Sequence, residues 1–309
     1  MKYRAWPQLK SGDLVDIVAP GMKPESQVLK KLPEFLAKWE LEVRIPKDLL
    51  GNDLICANDR ATRLVHFKKA VLARDSKMIW CLRGGYGSFH LLPGLSKLTP
   101  ASPKLFMGLS DATSLHTFLG QKWNWSTLHA CNIDRLVLGK ASVQEQKRIQ
   151  KVLFGQTTEL QYKIKPLNKP AHDLKTLKGT VVGGNLITLQ ANFATPFQIQ
   201  PKGQFLFVED IGERAYKVDR VFEQMNQLGL LKGVKAILFG QFTGDKEPNS
   251  RPSLLPRWMK EFAAQQNFPV FKGIQSGHGD DQHPLPLYTS AEITFGDGAK
   301  LIVATGSRP

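Results

Sequence analysis

The sequence predicts an α/β fold in two parts, the first of them an N-terminal domain built on a parallel sheet. Through the first half, short apolar runs of strand length alternate with segments of helical period. Turns containing Gly or Pro follow several of those runs, at Pro20-Gly21, Gly84-Gly85 and Gly108. The chain has 309 residues, 42% hydrophobic and 22% charged, which is enough for two cores and ordinary for a globular protein.

Taken in order, Lys10-Ser11-Gly12-Asp13 predicts a turn and Leu14 to Ala19 a buried strand. Pro24 to Trp39 has helical spacing, with Val28, Leu32, Phe35 and Leu36 on one face. Leu41 to Ile45 returns as a strand. Asn58 to Arg74 is a second helix, with Leu64, Phe67 and Val71 facing inward. Met78 to Leu82 is a third strand, ending in Arg83-Gly84-Gly85-Tyr86-Gly87, and His90 to Leu95 is a short segment after it. Leu105 to Met107 is a fourth. Beyond Ser110 the pattern turns helical through Ala112, Leu115, Phe118 and Leu119. Trp125 to Cys131 predicts a strand and Val143 to Phe154 a helix, completing a domain over residues 1–154. Residues 155–178 are polar, rich in Lys and Pro and without clear period, and are expected to connect the domains. The second domain, 179–309, opens with Thr180 to Asn185 and a helix-like run from Leu186 to Phe193. Phe205 to Val208 and Val234 to Phe239 predict strands, Arg214 to Leu228 an amphipathic helix stopped by Gly229, and Glu292 to Ala304 a hairpin around Asp297-Gly298.

Ligands of parallel sheets bind beyond the carboxyl ends of the strands, where both Gly84-Gly85 and Ser110 fall. Ser110 stands on a sharp strand-to-helix turn with Gly108 two residues before it, the arrangement of a nucleophile elbow. Such a turn exposes the hydroxyl and aims the Asp111 backbone N–H, in the first helical turn, at an oxyanion forming beside Ser110. The same segment is equally a helix with a Ser cap.

A serine nucleophile needs a base and a group to orient it. Of the seven His, His66 and His172 lie in polar surroundings, and His90, His116 and His129 lie near the first sheet. His278 is flanked by Gly277 and Gly279 after the strand-like Phe268 to Phe271, a loop position open both to chemistry and to plain solvent exposure. Phe205 to Val208 runs directly into Glu209 and Asp210, with Glu213 beyond. Charges at a strand end often only mark the surface, but an unpaired Glu209 beside an apolar run is costly, and a His N–H would hold it. The run His278 to His283 lacks the helical spacing of metalloprotease ligands, so no metal is expected.

The net charge of +15 comes from Lys and Arg scattered along the chain, with no basic run interleaved with aromatics, so a basic solvated surface is expected rather than a nucleic-acid partner. No apolar run approaches the roughly 20 residues of a membrane helix, and Met1 to Lys10 has no apolar signal-type core. Cys56, Cys81 and Cys131 are odd in number and lack metal spacing, as expected of reduced thiols in a cytoplasmic protein.

Six stretches together resemble the LD-carboxypeptidases, serine peptidases that include the microcin-immunity peptidases. They are Ser11 to Pro20; Trp80 to Gly87; Gly108 to Thr113; Gly179 to Asn185; Phe207 to Asp210 with Glu213; and Gly277-His278 with Pro284 to Leu287. They occur in family order across nearly the whole chain. The resemblance implies a β-rich C-terminal domain with the active site in the cleft between the two domains, and a triad of Ser110, Glu209 and His278, with the Asp111 and Gly85 N–H groups as oxyanion hole. It implies no cofactor and no metal, a cytoplasmic homodimer, and a murein tetrapeptide substrate that loses its terminal D-Ala in cell-wall recycling. Arg83, with Gly84, is a candidate by position for binding the free carboxylate, and helix N-terminal amides are an equal alternative. Gly21, Leu109, Ala130-Cys131 and Tyr288 depart from the family pattern, which commonly has Ser, Tyr, Gly-Pro and Gly there. Two other functions fit the same architecture. One is a microcin-immunity-type peptidase acting on an acyl-nucleotide conjugate, with Trp123 and Trp125 as a conceivable base platform; the other is a non-catalytic peptide-binding protein.

Overall fold

The structure, a computed structural model, describes residues 5–100, 102–296 and 298–306. Its first half is a parallel sheet of β1 (Leu14–Val18), β2 (Glu42–Arg44), β3 (Ser76–Cys81), β4 (Leu105–Gly108) and β5 (Thr127–His129), in the order β2-β1-β3-β4-β5. Helices Val28–Ala37, Arg60–Leu72, Thr113–Trp123 and Val143–Leu153 belong to the same half. Successive residues of the strands enter different cores: Met78, Trp80, Leu105 and Met107 pack on one face, Ile79, Cys81 and Phe106 on the other. A sheet covered on both sides needs apolar residues at consecutive positions, which is why these strands read as unbroken runs.

The second half is a closed barrel of β6 (Glu159–Pro166), β7 (Thr176–Asn185), β8 (Phe205–Ile211), β9 (Ala236–Thr243), β10 (Val270–Gly277), β12 (Ser290–Gly296) and β13 (Gly298–Ala304). Strands β7, β8, β9 and β10 run parallel. Phe205 and Phe207 enter one core of this half, with Tyr162, Ile164 and Leu301; Leu206 and Val208 enter the other, with Val218, Phe222 and Met225 of helix Ala215–Gln227.

Residues 155–178, expected as a connection, contain β6, the short helix Lys169–His172 and the start of β7. Strand β6 buries Tyr162 and Ile164 but turns Lys163 and Lys165 outward. The lysines give a half-solvated strand the composition of a linker. Helix Leu255–Ala264, outside the predicted elements, buries Leu255, Met259 and Ala263. The hairpin β12–β13 forms as expected, in register Gly296↔Gly298, while Asp297 lies outside the described residues.

One strand ties the halves together. After β10 and the loop bearing His278, β11 (Leu285–Leu287) pairs antiparallel with β5, at Leu285↔His129, Pro286↔Leu128 and Leu287↔Thr127. A strand from the C-terminal half thus completes the N-terminal sheet. Tyr288 follows it with φ +59°, a left-handed backbone that suits Gly. Its ring lies where a side chain on Gly120 would stand, 2.2 Å from the position of a Cβ there, so Gly120 makes the room. The Ser126 hydroxyl donates to the Tyr288 carbonyl at 2.8 Å.

Candidate active site

Strand β4 ends at Gly108, Leu109 is extended, and Ser110 takes φ +65° before a single 3-10 turn opens into helix Thr113–Trp123. A left-handed Ser is strained by about 1–3 kcal/mol and persists only where its surroundings impose it. Those surroundings are identifiable. The Asn132 side chain accepts from Leu109 N–H at 3.1 Å, and the Gly108 carbonyl accepts from Ala130 N–H at 3.1 Å and bonds His116 Nε2 at 2.9 Å. The Ser110 hydroxyl caps neither the turn nor the helix and makes no hydrogen bond among the described residues. It is half-buried, not sequestered.

The Gly84-Gly85 loop at the end of β3 lies directly against this elbow. A Cβ on Gly84 would stand 2.9 Å from the Ser110 Cβ, so only Gly admits the approach. The buried Asp111 carboxylate holds the loop from below, accepting from Ser88 N–H at 2.8 Å and Gly87 N–H at 3.2 Å. Burial pushes its pKa up to about 6 against the pull of those donors. Arg83, half-buried, makes no hydrogen bond or ion pair among the described residues.

Strand β8 does not stop at Val208 but continues through both carboxylates. Glu209 is 0% exposed, and its Oε2 lies 2.6 Å from His278 Nδ1. Gly277 has φ +125°, and a Cβ there would stand 2.8 Å from Glu209 Oε2, so any side chain would block the pair. Burial alone would lower the His278 pKa. The Glu209 charge and hydrogen bond, with Asp210 behind, outweigh it and raise the pKa above the ordinary 6.5.

The neighbouring candidates have other partners. Asp210 accepts from Asn185 Nδ2 at 2.9 Å and from Ile187 N–H at 3.0 Å, tying β8 to helix Leu186–Gln190. Glu213 faces Lys217 at 3.0 Å. His283 Nε2 bonds Asp281 at 3.2 Å, and burial and Arg148 lower its pKa. His66 bonds Asp48, and His90 faces Arg63. Among the described residues, no group of three or more His, Cys, Asp or Glu is placed to hold a metal ion.

Glu209 lies two residues before the carboxyl end of β8, His278 directly follows β10, and Ser110 comes two residues after β4; contacts between the two halves flank these positions. Asn185, the register partner of Glu209, donates its backbone N–H to Thr113 Oγ1 at 2.9 Å, one turn beyond Ser110. Arg135 bonds the Asp280 carbonyl at 2.6 Å and fixes the His278 loop on the N-terminal half. The sequence carries no signal for Asn132, and marks Thr113 only as the end of the Gly108 to Thr113 stretch; both act through contacts distant in the chain. Trp123 and Trp125 are 8% and 1% exposed and belong to the core, so they offer no stacking platform.

The family models for the LD-carboxypeptidase N-terminal and C-terminal domains match residues 15–130 and 178–293. A relative from Rickettsia conorii is 31% identical over 291 residues, covering 94% of this chain and 90% of its own. The murein tetrapeptide carboxypeptidase of Pseudomonas aeruginosa is 27% identical, covering 90% and 92%. Among solved structures, the muramoyltetrapeptide carboxypeptidase of Oxalobacter formigenes superposes with a TM-score of 0.82 at 26% identity, over 94% of this chain and 98% of that one. The microcin C7 self-immunity protein superposes with a TM-score of 0.79 over 97% and 98%, but at 19% identity it shows the shared fold alone. With both halves matched in order and a relative above 30% identity aligned end to end, the chain belongs to the LD-carboxypeptidase family.

Proposed function

We propose that the protein is a serine carboxypeptidase that releases the C-terminal D-amino acid from murein tetrapeptides, with Ser110 as nucleophile, His278 as general base and Glu209 as its orienter. The observation that carries this is the buried Glu209 carboxylate 2.6 Å from His278 Nδ1; a Ser110 held left-handed with its hydroxyl unengaged supports it. That bond leaves Nε2 of the neutral ring as an acceptor. Nε2 takes the Ser110 proton as Oγ attacks the carbonyl of the penultimate residue. The Asp111 and Gly85 N–H groups receive the oxyanion, the imidazolium protonates the departing amine, and water then releases the acyl-enzyme by the same route. Arg83 is the proposed partner for the free carboxylate of the substrate, with the Gly84 backbone alongside.

The relatives named for murein peptides support this substrate over an acyl-nucleotide conjugate, since the immunity protein shares only the fold and the Trp pair is buried. Three free, buried cysteines agree with work in the reducing cytoplasm. A homodimer is the proposed assembly, which light scattering tests. Incubation with murein tetrapeptide should yield free D-Ala and tripeptide by mass spectrometry; a tetrapeptide left intact by active-site-competent protein sinks the assignment.

The choice of carboxylate is tested separately. Glu209→Gln should cost on the order of 10⁴ in turnover, because a neutral amide cannot stabilise the imidazolium and invites the wrong tautomer. Asp210→Asn should mainly lower the melting temperature, since Asp210 ties β8 to a helix. A crippled Asp210→Asn beside a near-normal Glu209→Gln would reverse the roles.

A further inference from the structure

We propose that His129 is a positioning residue: its Nε2–H is the second donor to the Glu209 carboxylate, on Oε1, and holds that carboxylate in the orientation that aims His278. The proposal rests on Glu209 and His278 acting as orienter and base. Only one Glu209 oxygen is accounted for by His278. Oε1 is buried and has no hydrogen-bond partner among the described residues, although its side chain is 0% exposed. Both ring nitrogens of His129 are in the same state, in a residue also 0% exposed. Buried polar atoms of this kind are nearly always satisfied, and here two unsatisfied groups face each other, with His129 Nε2 4.0 Å from Glu209 Oε1. That is a long contact, but an N–H facing a buried carboxylate at this distance already offsets part of its charge in the free protein, and the bond tightens further once the site is loaded.

The location of His129 fits the task. It pairs with Gly108 of β4, two residues before Ser110, and with Leu285 of β11, which follows the His278 loop. Its ring packs on Phe207 of β8 at 5.4 Å and on His116 at 6.0 Å. It therefore touches all the strands that lead to or from the proposed triad except β10. The ring is neutral: burial holds its pKa well below the ordinary value, and His116 and His278 push the same way. A neutral ring has one N–H, and only the Nε2–H tautomer avoids turning a lone pair toward a carboxylate oxygen. The other ionisable groups nearby are committed elsewhere. His116 Nε2 is bonded to the Gly108 carbonyl and Asp210 to Asn185 and Ile187.

Three variants test this: His129→Phe removes the donor, His129→Gln keeps an N–H near the Nε2 position, and His129→Asn keeps an amide too short to reach. Each is measured by kcat and KM on murein tetrapeptide and by NMR titration of the His278 ring, which needs no substrate. Phe and Asn should lower kcat on the order of tenfold to a hundredfold, the worth of one hydrogen bond to a charged group, with KM little changed. In both, His278 should titrate at higher pH, because a carboxylate without its second donor presents more charge to His278 Nδ1. Gln should restore most of kcat and the wild-type titration. If Phe does not fold, the contrast between Gln and Asn decides. Equal behaviour of Gln and Asn, or an unshifted His278 in a folded variant, overturns the role of His129. Full activity in Ser110→Ala would overturn the triad instead, leaving the titration to report on His129 alone.

Discussion

Replacing Ser110 with Ala should abolish hydrolysis, lowering turnover on the order of 10⁶-fold, the usual cost of deleting the nucleophile of a triad. The fold should survive. The hydroxyl bonds nothing among the described residues, and the elbow is held by Asn132, Ala130 and His116 through the backbone of its neighbours. Ala at φ +65° carries no more strain than Ser does. Substrate should still bind, since the proposed contacts to its carboxylate and carbonyl come from Arg83 and backbone N–H groups. Circular dichroism and calorimetry check the fold; a single-turnover assay checks for a residual acyl-enzyme. Activity within tenfold of wild type would mean that another group attacks.

His278→Ala should be comparably inactive, and the pH dependence separates it from His283. The base must be neutral to accept the Ser110 proton, so kcat/KM should rise with pH through the pKa of the catalytic His. The two loop histidines are displaced in opposite directions. His278 is raised above 6.5 because Glu209 outweighs burial, whereas burial and Arg148 lower His283. An acid limb above 6.5 therefore belongs to His278 and one below 6.5 to His283. Unperturbed imidazole, the only value the sequence allows, could not have distinguished them. His283→Ala should keep the limb and nearly all of kcat, because its ring bonds Asp281 rather than Glu209. An inactive His283→Ala beside a His278→Ala with a normal profile would dismantle the triad as described.

Much of this was legible in the chain. The N-terminal strands bury residues on both faces, so each appears as a short apolar run between breakers, and the sequence places them closely. The turn at Ser110 is legible because it is a local event: a strand, a Gly two residues earlier, then a helical period; what separates Ser110 from a plain cap is the family resemblance. Glu209 and His278 are different. Each is ambiguous alone, a charge at the end of a strand and a His between two glycines, and only the family resemblance singled them out in sequence. Their pairing belongs to the barrel, in which β8 and β10 flank β9 and both end at the same rim.

The sequence by itself determined the two halves, the parallel sheet of the first, the strand-to-helix turn at Ser110 and the glycines that permit close approach, because these follow from local periodicity and backbone conformation; the β-rich character of the second half came from the family resemblance. Tertiary structure alone decided four things: the 2.6 Å bond between Glu209 and His278, the commitment of Asp210 and His283 to other partners, the upward shift at His278, and the capture of β11 by the N-terminal sheet. Each depends on groups far apart in the chain and on the burial they share. No window of sequence contains the distance between residues 209 and 278, or the loss of water around them that sets the strength and the sign of their interaction.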